Sequence, residues 1–295
     1  MRVIRARSAG FCLGVSLALR RLDQELEAAG GAVPAKAGRL ITLGPIIHNP
    51  LVMQEYIGRG VVCESDHRGI GPGDRAVIRA HGIPRDVENS LRLSGATIVD
   101  ATCPKVKKAQ VAIGREYAKG GSLLLFGEKE HPEVRGLLSY AENRAAVFGD
   151  LRELAELALE PGQSYFLAAQ TTQDRSLFFQ AREQLETRLG RSVPTLCTIC
   201  DATRDRQQEV IDLAGQVQAM VVVGGLNSGN TRRLAEVARA GGVPTIHVER
   251  VEDITPELAA ATFAGSSLVG LTAGASTPEK HIDAMQAYLE NLRPF

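Results

Sequence analysis

The sequence predicts an α/β protein of three similar lobes, each with a parallel β-sheet covered by helices. Two observations lead to this fold class. Cys12, Cys103 and Cys200 recur at intervals of 91 and 97 residues, each between a short apolar run and a helical pattern. After each cysteine follows the same order of apolar strands and amphipathic helices, which is typical of parallel sheets buried on both faces. A period of roughly ninety residues exceeds those of solenoids, so the repeated units are lobes.

The elements are predicted in one order that is written three times along the chain. Strands before the cysteines are predicted at 3–7, 97–100 and 195–199. Helices after the cysteines are predicted at 13–29, 104–119 and 201–218. The next strand covers 39–44, 122–127 and 220–224, and a second helix covers 50–59, 133–140 and 231–240. Two further strands cover 61–63 with 75–79, 146–148 with 165–168, and 245–248 with 268–271. A closing helix is predicted at 85–93, 177–189 and 279–292.

The third lobe lacks a closing strand, because the sequence ends soon after its last helix. The N-terminal strand has no unit of its own, so we expect it to join the third sheet and close a ring with pseudo-threefold symmetry. The lobes are then 13–102, 103–199 and 200–295, with residues 1–12 joining the third. Ligands of open parallel sheets bind beyond the carboxyl ends of the strands. The cysteines and the polar loops are therefore expected to converge on one central cleft.

Composition excludes several classes of partner. Lysine plus arginine and aspartate plus glutamate both number 34, so the formal net charge is zero, which argues against a nucleic-acid or membrane-surface binder. The uncharged stretch 258–278 contains glycine, serine and threonine, and predicts a helix end, a buried strand and a loop rather than a membrane span. We expect a cytoplasmic protein with reduced thiols. The charge runs 105–108 and 204–206 are interpreted as solvated helix faces.

The three repeated cysteines predict a metal centre. A thiol at a strand-to-helix corner faces the positive end of the helix dipole, which favours the thiolate that soft metals bind. Three thiolates suit a 4Fe–4S cluster with one iron left without a protein ligand, and zinc is the weaker alternative. Cys197, which forms C-x-x-C with Cys200, and Cys63 are interpreted as incidental strand residues.

A second group of polar residues follows the strand ends and suits phosphate. Imidazole, hydroxyl and amide groups donate hydrogen bonds to phosphate oxygens, and a helix N-terminus also favours an anion. The candidate residues are His48, His81, His131, Ser228, Asn230 and Ser276. Ser228 and Asn230 are also suited to helix capping, and the two roles can coexist.

Glu133 and Thr171 are the candidate proton donors. Glu133 begins a predicted helix two residues after His131, and Thr171 follows another strand. Helix N-termini favour glutamate for electrostatic reasons alone, but a carboxyl group in a cleft can also donate or relay protons. His67, His247 and His281 lie outside the strand-end loops and are assigned no role.

With these residues assembled, the chain resembles the 4-hydroxy-3-methylbut-2-enyl diphosphate reductase family over nearly its whole length. The motifs that carry the resemblance are GFC at 10–12, LGPIIHN at 43–49, RAHG at 79–82, DATCP at 100–104, HPEVRG at 131–136, QTT at 170–172, TICDAT at 198–203, NSGN at 227–230 and TAGAS at 272–276. The family often has a second serine where this chain has Gly229, so that position loses one hydroxyl group.

The resemblance implies a fold, a cofactor and a reaction. It implies three α/β lobes around one 4Fe–4S cluster held by Cys12, Cys103 and Cys200. It also implies that the three histidines, Ser228, Asn230 and Ser276 bind the diphosphate, and that Glu133, with Thr171 beside it, supplies protons. The expected reaction is reductive dehydroxylation of the allylic diphosphate to isopentenyl and dimethylallyl diphosphates, the last step of the non-mevalonate isoprenoid pathway.

The electron donor and two other functions remain open at this point. No G-x-G-x-x-G or P-loop motif occurs, so we expect electrons from ferredoxin or flavodoxin rather than from bound NADPH. One alternative is a non-redox hydro-lyase or synthase resembling quinolinate synthase, which also pairs three lobes with a three-cysteine cluster and acts on a carboxylate. The other is an iron–sulfur sensor without turnover.

Overall fold

The computed structural model describes residues 1–30 and 38–292, which form eleven strands and eleven α-helices. The strands are β1 Arg2–Arg5, β2 Leu40–Leu43, β3 Val62–Glu64, β4 Arg75–Ile78, β5 Thr97–Asp100, β6 Ser122–Phe126, β7 Ala145–Phe148, β8 Tyr165–Ala169, β9 Ala219–Val223, β10 Thr245–Val248 and β11 Leu268–Ala273. The helices are α1 Leu13–Ala28, α2 Pro50–Gly58, α3 Arg85–Leu93, α4 Pro104–Ala118, α5 Pro132–Leu138, α6 Leu151–Glu156, α7 Arg175–Leu189, α8 Asp201–Ala214, α9 Gly229–Ala240, α10 Pro256–Phe263 and α11 Glu279–Asn291.

The chain forms two compact units. Unit 1 comprises 1–15, 48–52 and 201–295, and unit 2 comprises 16–47 and 53–200. Unit 1 contains one sheet, and unit 2 contains two. Every strand pair in the described part of the chain is parallel. The predicted fold class, three α/β lobes with parallel sheets, is therefore confirmed. The exact lobe boundaries and the ring stay predictions, and 31–37 and 293–295 lie outside the described residues.

The sheet of unit 1 has the strand order β1-β11-β9-β10. Strand β1 pairs with β11 in parallel, Arg2 opposite Leu268 and Arg5 opposite Leu271, as expected for the N-terminal strand. The central strand β9 is buried along its whole length because helices cover both faces. Its alternate residues face two different cores: Val221 packs with residues of α10 and α11, and Val222 packs with residues of α8 and α9.

The two sheets of unit 2 follow the same plan. Their strand orders are β3-β2-β4-β5 and β7-β6-β8. In the second of these, Phe126 packs on the α6 and α7 side, while Leu125 packs on the α4 and α5 side. Helix α6 was not predicted from its short apolar pattern. Asp150 begins it by accepting hydrogen bonds from the N–H groups of Arg152 and Glu153.

The strand predicted at 195–199 is wrong. This segment makes a single bridge, between Thr195 and Leu167 on β8. Farther along, the Thr198 hydroxyl group bonds to both the N–H and the carbonyl of Ala169, at 2.8 and 2.5 Å. A side chain therefore takes the place of the backbone ladder that a fourth strand would form, because a threonine hydroxyl both donates and accepts.

The uncharged stretch at 258–278 contains the end of α10, the buried strand β11 and a loop, as predicted. Across the described ranges, no helix combines the length and apolar character that spanning a bilayer requires.

Candidate active site

A buried carboxyl–hydroxyl pair lies at the strand ends of unit 2. Glu133, at the start of α5, and Thr171, just after β8, are only 2% and 6% exposed. The Thr171 backbone N–H donates to Glu133 Oε1 at 2.6 Å, and its hydroxyl group donates to Oε2 at 2.9 Å. The predicted proximity of these two side chains is confirmed by this geometry.

The protonation of Glu133 follows from this environment. Burial raises its pKa from 4.5 to about 7, while the two hydrogen bonds from Thr171 act in the opposite direction. A carboxyl group with a pKa near neutrality exchanges protons readily at physiological pH. The pair is therefore suited to general acid chemistry.

Two of the predicted histidines stand beside this pair. His131 is the N-cap of α5, and its Nδ1 accepts a hydrogen bond of 3.1 Å from the Glu133 N–H. The His81 and His131 rings meet edge to face with their centroids 5.5 Å apart. Each ring follows the carboxyl end of a parallel strand, β4 for His81 and β6 for His131.

Two cysteines belong to the same region of unit 2. The Cys200 N–H donates to the Thr171 carbonyl at 3.0 Å, and the Cys103 N–H donates to the Ala80 carbonyl at 2.9 Å. The Cys200 backbone is thus hydrogen-bonded to Thr171, the partner of Glu133. The Cys103 backbone is hydrogen-bonded to Ala80, the residue before His81. These backbone contacts, which sequence reasoning did not foresee, join the Cys200 backbone to Thr171 and the Cys103 backbone to the loop that carries His81.

The remaining predicted residues lie in unit 1, again past the strand ends. The Cys12 N–H donates to the Ala275 carbonyl at 3.2 Å. The Ser276 hydroxyl group donates to the His48 carbonyl at 3.1 Å, and the Asn49 side chain donates to the Ser276 carbonyl at 2.8 Å. Asn49 was not assigned a role from the sequence, although it stands in the motif at 43–49. It ties the His48 loop to the Ser276 loop.

Ser228 and Asn230 open helix α9 in unit 1. Ser228 is the N-cap and accepts from the Thr231 N–H at 3.4 Å. Asn230 is 6% exposed, and its Nδ2 has no hydrogen-bond partner among the described residues. A buried donor without an acceptor is costly, and an anion at the helix N-terminus would satisfy it. Capping is thus observed for Ser228, and anion binding by Ser228 and Asn230 stays a prediction.

The interpretation of 204–206 as a solvated helix face is wrong for Arg206. This residue is 5% exposed, and its guanidinium group donates to the carbonyls of Ser8, Gly10 and Ala273. Its burial depends on the β1–α1 loop packing against α8, a long-range contact that a local charge pattern cannot reveal. Arg204 on the same helix is exposed, as predicted, and its guanidinium group pairs with Asp205.

The three repeated cysteines fit an iron–sulfur group by position and chemistry. Each is the residue immediately before a helix: Cys12 before α1, Cys103 before α4 and Cys200 before α8. All five cysteines lie in the described residues, and none of them forms a disulfide there. Cys12, Cys103 and Cys200 are half-buried, and Cys12 Sγ accepts from the Val15 N–H at 3.5 Å. Partly covered sulfurs at helix N-termini are suitable ligands for such a group.

The structure thus gathers the predicted site residues into two sets. Unit 2 brings together Cys103, Cys200, His81, His131, Glu133 and Thr171. Unit 1 contains Cys12, His48, Ser228, Asn230 and Ser276. The convergence of all of them on one ligand stays a prediction. Among the residues assigned no role, Cys197 is exposed and His247 Nε2 bonds to the Gly224 carbonyl at 2.9 Å.

Comparison with known proteins identifies the family. A family model described as LytB protein matches residues 3–290. The chain belongs to this family. It is 58% identical over 292 residues to the 4-hydroxy-3-methylbut-2-enyl diphosphate reductase of Nitratidesulfovibrio vulgaris (strain Miyazaki F), covering 99% of this chain and 100% of that protein. It is 40% identical to the Geobacter sulfurreducens protein of the same name, covering 100% of this chain and 98% of that one.

Solved structures of LytB relatives share the fold. The (E)-4-hydroxy-3-methyl-but-2-enyl diphosphate reductase described as the terminal enzyme of the non-mevalonate pathway is 35% identical, with a TM-score of 0.67, covering 99% of this chain and 100% of that one. The reductase from Plasmodium falciparum has a TM-score of 0.89 at 23% identity, covering 98% of this chain and 88% of that chain, and supports the fold alone.

Proposed function

We propose that this LytB protein reduces 4-hydroxy-3-methylbut-2-enyl diphosphate to isopentenyl and dimethylallyl diphosphates, the last step of the non-mevalonate pathway. The observation that carries the proposal is the buried Glu133–Thr171 pair bonded through the backbone to Cys200. This arrangement supports a proton donor close to a candidate ligand of a redox group. The 58% identity to a named reductase supports the same substrate.

The cofactor of this proposal is one 4Fe–4S cluster with Cys12, Cys103 and Cys200 as its ligands and one iron left open. Bound there, such a cluster supplies one-electron transfer and Lewis acidity. Electrons are proposed to come from ferredoxin or flavodoxin, and a cytoplasmic location stays a prediction.

The residues of the chain then have separate tasks. The diphosphate is bound by His48, His81, His131, Ser228, Asn230 and Ser276. Binding energy from this end of the substrate orients the other end, where the reaction takes place. Overall, two electrons and two protons are consumed, the allylic C–O bond breaks, oxygen leaves as water, and an allylic carbon gains a hydrogen. Protonation at one end of the allyl system or the other yields the two products.

Glu133 and Thr171 are assigned the proton transfers. In the structure the Thr171 hydroxyl group donates to Glu133 Oε2. When Glu133 is protonated this bond can reverse, so that the hydroxyl group accepts the carboxyl proton and passes its own proton on. Because both side chains are buried, protons reach the substrate without exposing the site to bulk water.

The first test is a Glu133→Gln variant assayed anaerobically for substrate consumption with dithionite as reductant. Glutamine preserves shape and hydrogen bonding but cannot donate the acid proton, so we expect kcat to fall about 10²- to 10⁴-fold with iron content and substrate binding retained. The matched control is Glu130→Gln, which changes an exposed glutamate of the loop just before α5 and should turn over like the parent protein.

Two results would contradict the proposal. Unchanged turnover in Glu133→Gln would remove this residue from proton transfer. Failure of the parent protein, with its iron bound, to consume the diphosphate under reducing conditions would overturn the reductase assignment. Consumption of substrate without any reductant would instead support a hydro-lyase.

A further inference from the structure

Two oppositely charged side chains of α8 hold the loop that carries Cys12. This loop, residues 6–12, connects β1 to α1 in unit 1 and is called the Cys12 loop below. Arg206 and Glu209 lie three residues apart on α8, so they project from neighbouring turns of the same helix face. Arg206 binds carbonyl groups of the loop, and Glu209 binds its N–H groups.

Arg206 holds the carbonyl side of the Cys12 loop. Its Nη2 donates to the Gly10 carbonyl at 2.8 Å, and its Nη1 donates to the Ser8 carbonyl. Nη1 also reaches the Ala273 carbonyl at the end of β11, at 3.3 Å. The planar guanidinium fork thus joins the loop to the sheet, a geometry that the single ammonium group of lysine cannot reproduce.

Glu209 holds the N–H side of the same loop. Its carboxylate accepts from the Arg7 N–H at 2.6 Å, from the Ser8 N–H at 2.9 Å and from the Ser8 hydroxyl group. Partial burial raises the pKa of Glu209, but the hydrogen bonds from Ser8 and Arg7 outweigh it and the pKa is lowered. The group is therefore ionised, and all its bonds here are charge-assisted.

The rest of the loop has little freedom to move. Gly10 has a φ of +109°, and a Cβ at this position would lie 3.3 Å from Glu279 Oε2. Two residues later, the Cys12 N–H is bonded to the Ala275 carbonyl. The position of the Cys12 sulfur thus depends on a loop held by α8 at residues 7–10 and by the β11 loop at residue 12.

We infer that Arg206 and Glu209 are positioning residues for Cys12: they hold the Cys12 loop in the geometry in which its sulfur binds the iron–sulfur group. The inference rests on the proposed function, because it presumes that Cys12 is a ligand. Groups that orient a metal ligand change metal affinity about 10- to 100-fold when they are removed. Arg206 also places a permanent positive charge on the carbonyl of Gly10, which stands two residues before Cys12 in the chain.

The experiment measures how fast the anaerobically purified holoprotein loses iron to a chelator. Arg206→Gln and Glu209→Gln are each expected to release iron about 10- to 100-fold faster than the parent protein. Arg206→Lys keeps the positive charge but not the planar guanidinium group, so its rate of iron release should lie between those of the parent protein and Arg206→Gln. The control is Arg204→Gln, which removes an exposed arginine of the same helix and should behave like the parent.

A second measurement separates positioning from general loss of stability. Reduction adds negative charge to the cluster, and Arg206 favours that state. We expect the midpoint potential, followed by electron paramagnetic resonance, to become more negative in Arg206→Gln and to stay close to the parent value in Arg206→Lys. Thermal unfolding of every variant is recorded alongside.

The outcomes distinguish this inference from the proposed function. Parent protein without iron would overturn both. Parent protein that holds iron and turns over, together with variants that release iron at the parental rate, would overturn the positioning role alone. If Arg206→Gln does not fold, Glu209→Gln decides the matter, because its more exposed side chain is replaced by one of the same shape.

Discussion

At Glu133, burial and hydrogen bonding act on the same carboxyl group in opposite directions. Burial raises the pKa to about 7, and Thr171 donates two hydrogen bonds that lower it. The folded pKa therefore lies above the ordinary value of 4.5. Folding then favours the protonated form, and the stability that Glu133 contributes falls as pH rises from about 4.5 to about 7.

The pH dependence of turnover tests this assignment. If protonated Glu133 is the acid, kcat is expected to decline as pH rises through about 7, because the acid form is lost. Thr171→Val removes the hydroxyl bond that lowers the pKa of Glu133, so the decline should move to higher pH, besides any loss of rate. Thr171→Ser retains the hydroxyl group and should keep the parental profile. A profile that is flat across pH 6–8 at saturating substrate would contradict the role of Glu133.

Among elements, the helix N-termini do most to place the functional groups. Cys12, Cys103 and Cys200 each immediately precede a helix, while His131 and Ser228 are N-caps. Three of these starts were predictable to within a few residues, because Pro104, Pro132 and Ser228 mark them in the sequence. What could not be predicted is which backbone group each capping side chain binds.

His131 combines helix capping with proposed diphosphate binding, and substitutions can separate the two roles. His131→Ala should lower the free energy of unfolding by about 1 kcal/mol, because the Glu133 N–H loses its acceptor. His131→Asn restores an N-cap acceptor but not the imidazole, so stability should recover while KM stays raised. Denaturant unfolding and steady-state kinetics measure the two effects. A KM that recovers together with stability would show that capping is the only role of the ring.

The segment before Cys200 shows the limit of pattern reasoning for whole elements. Its apolar, β-branched residues predicted a strand, as they did before Cys12 and Cys103. In the structure the Thr198 hydroxyl group bonds to Ala169 where backbone groups would otherwise pair. The pattern did not name a partner for the segment, and only the tertiary structure shows that it lies along β8 with side-chain rather than ladder hydrogen bonds.

For the whole molecule, the three repeated cysteines carry the prediction of a shared cluster. Cys12→Ser, Cys103→Ser and Cys200→Ser should each lower iron and sulfide content sharply and to a similar extent, since each removes one of three ligands. Cys63→Ser and Cys197→Ser are matched controls and should retain the parental content. Elemental analysis of anaerobically purified protein measures this. Full iron content in any of the first three variants would exclude that cysteine as a ligand.

The sequence by itself determined the class of fold, the threefold recurrence of its lobes and the kinds of chemistry at the strand ends. It did so because the periods of strands and helices, the starts of helices and the types of possible ligand depend on residues close together in the sequence. Only the tertiary structure decided that Glu133 is buried deeply enough to raise its pKa to about 7, and that Arg206 is buried rather than a surface charge. The partners of Arg206 in the Cys12 loop stand 198 and 196 residues earlier in the chain. Burial and charge state depend on such distant neighbours, and no local pattern contains them.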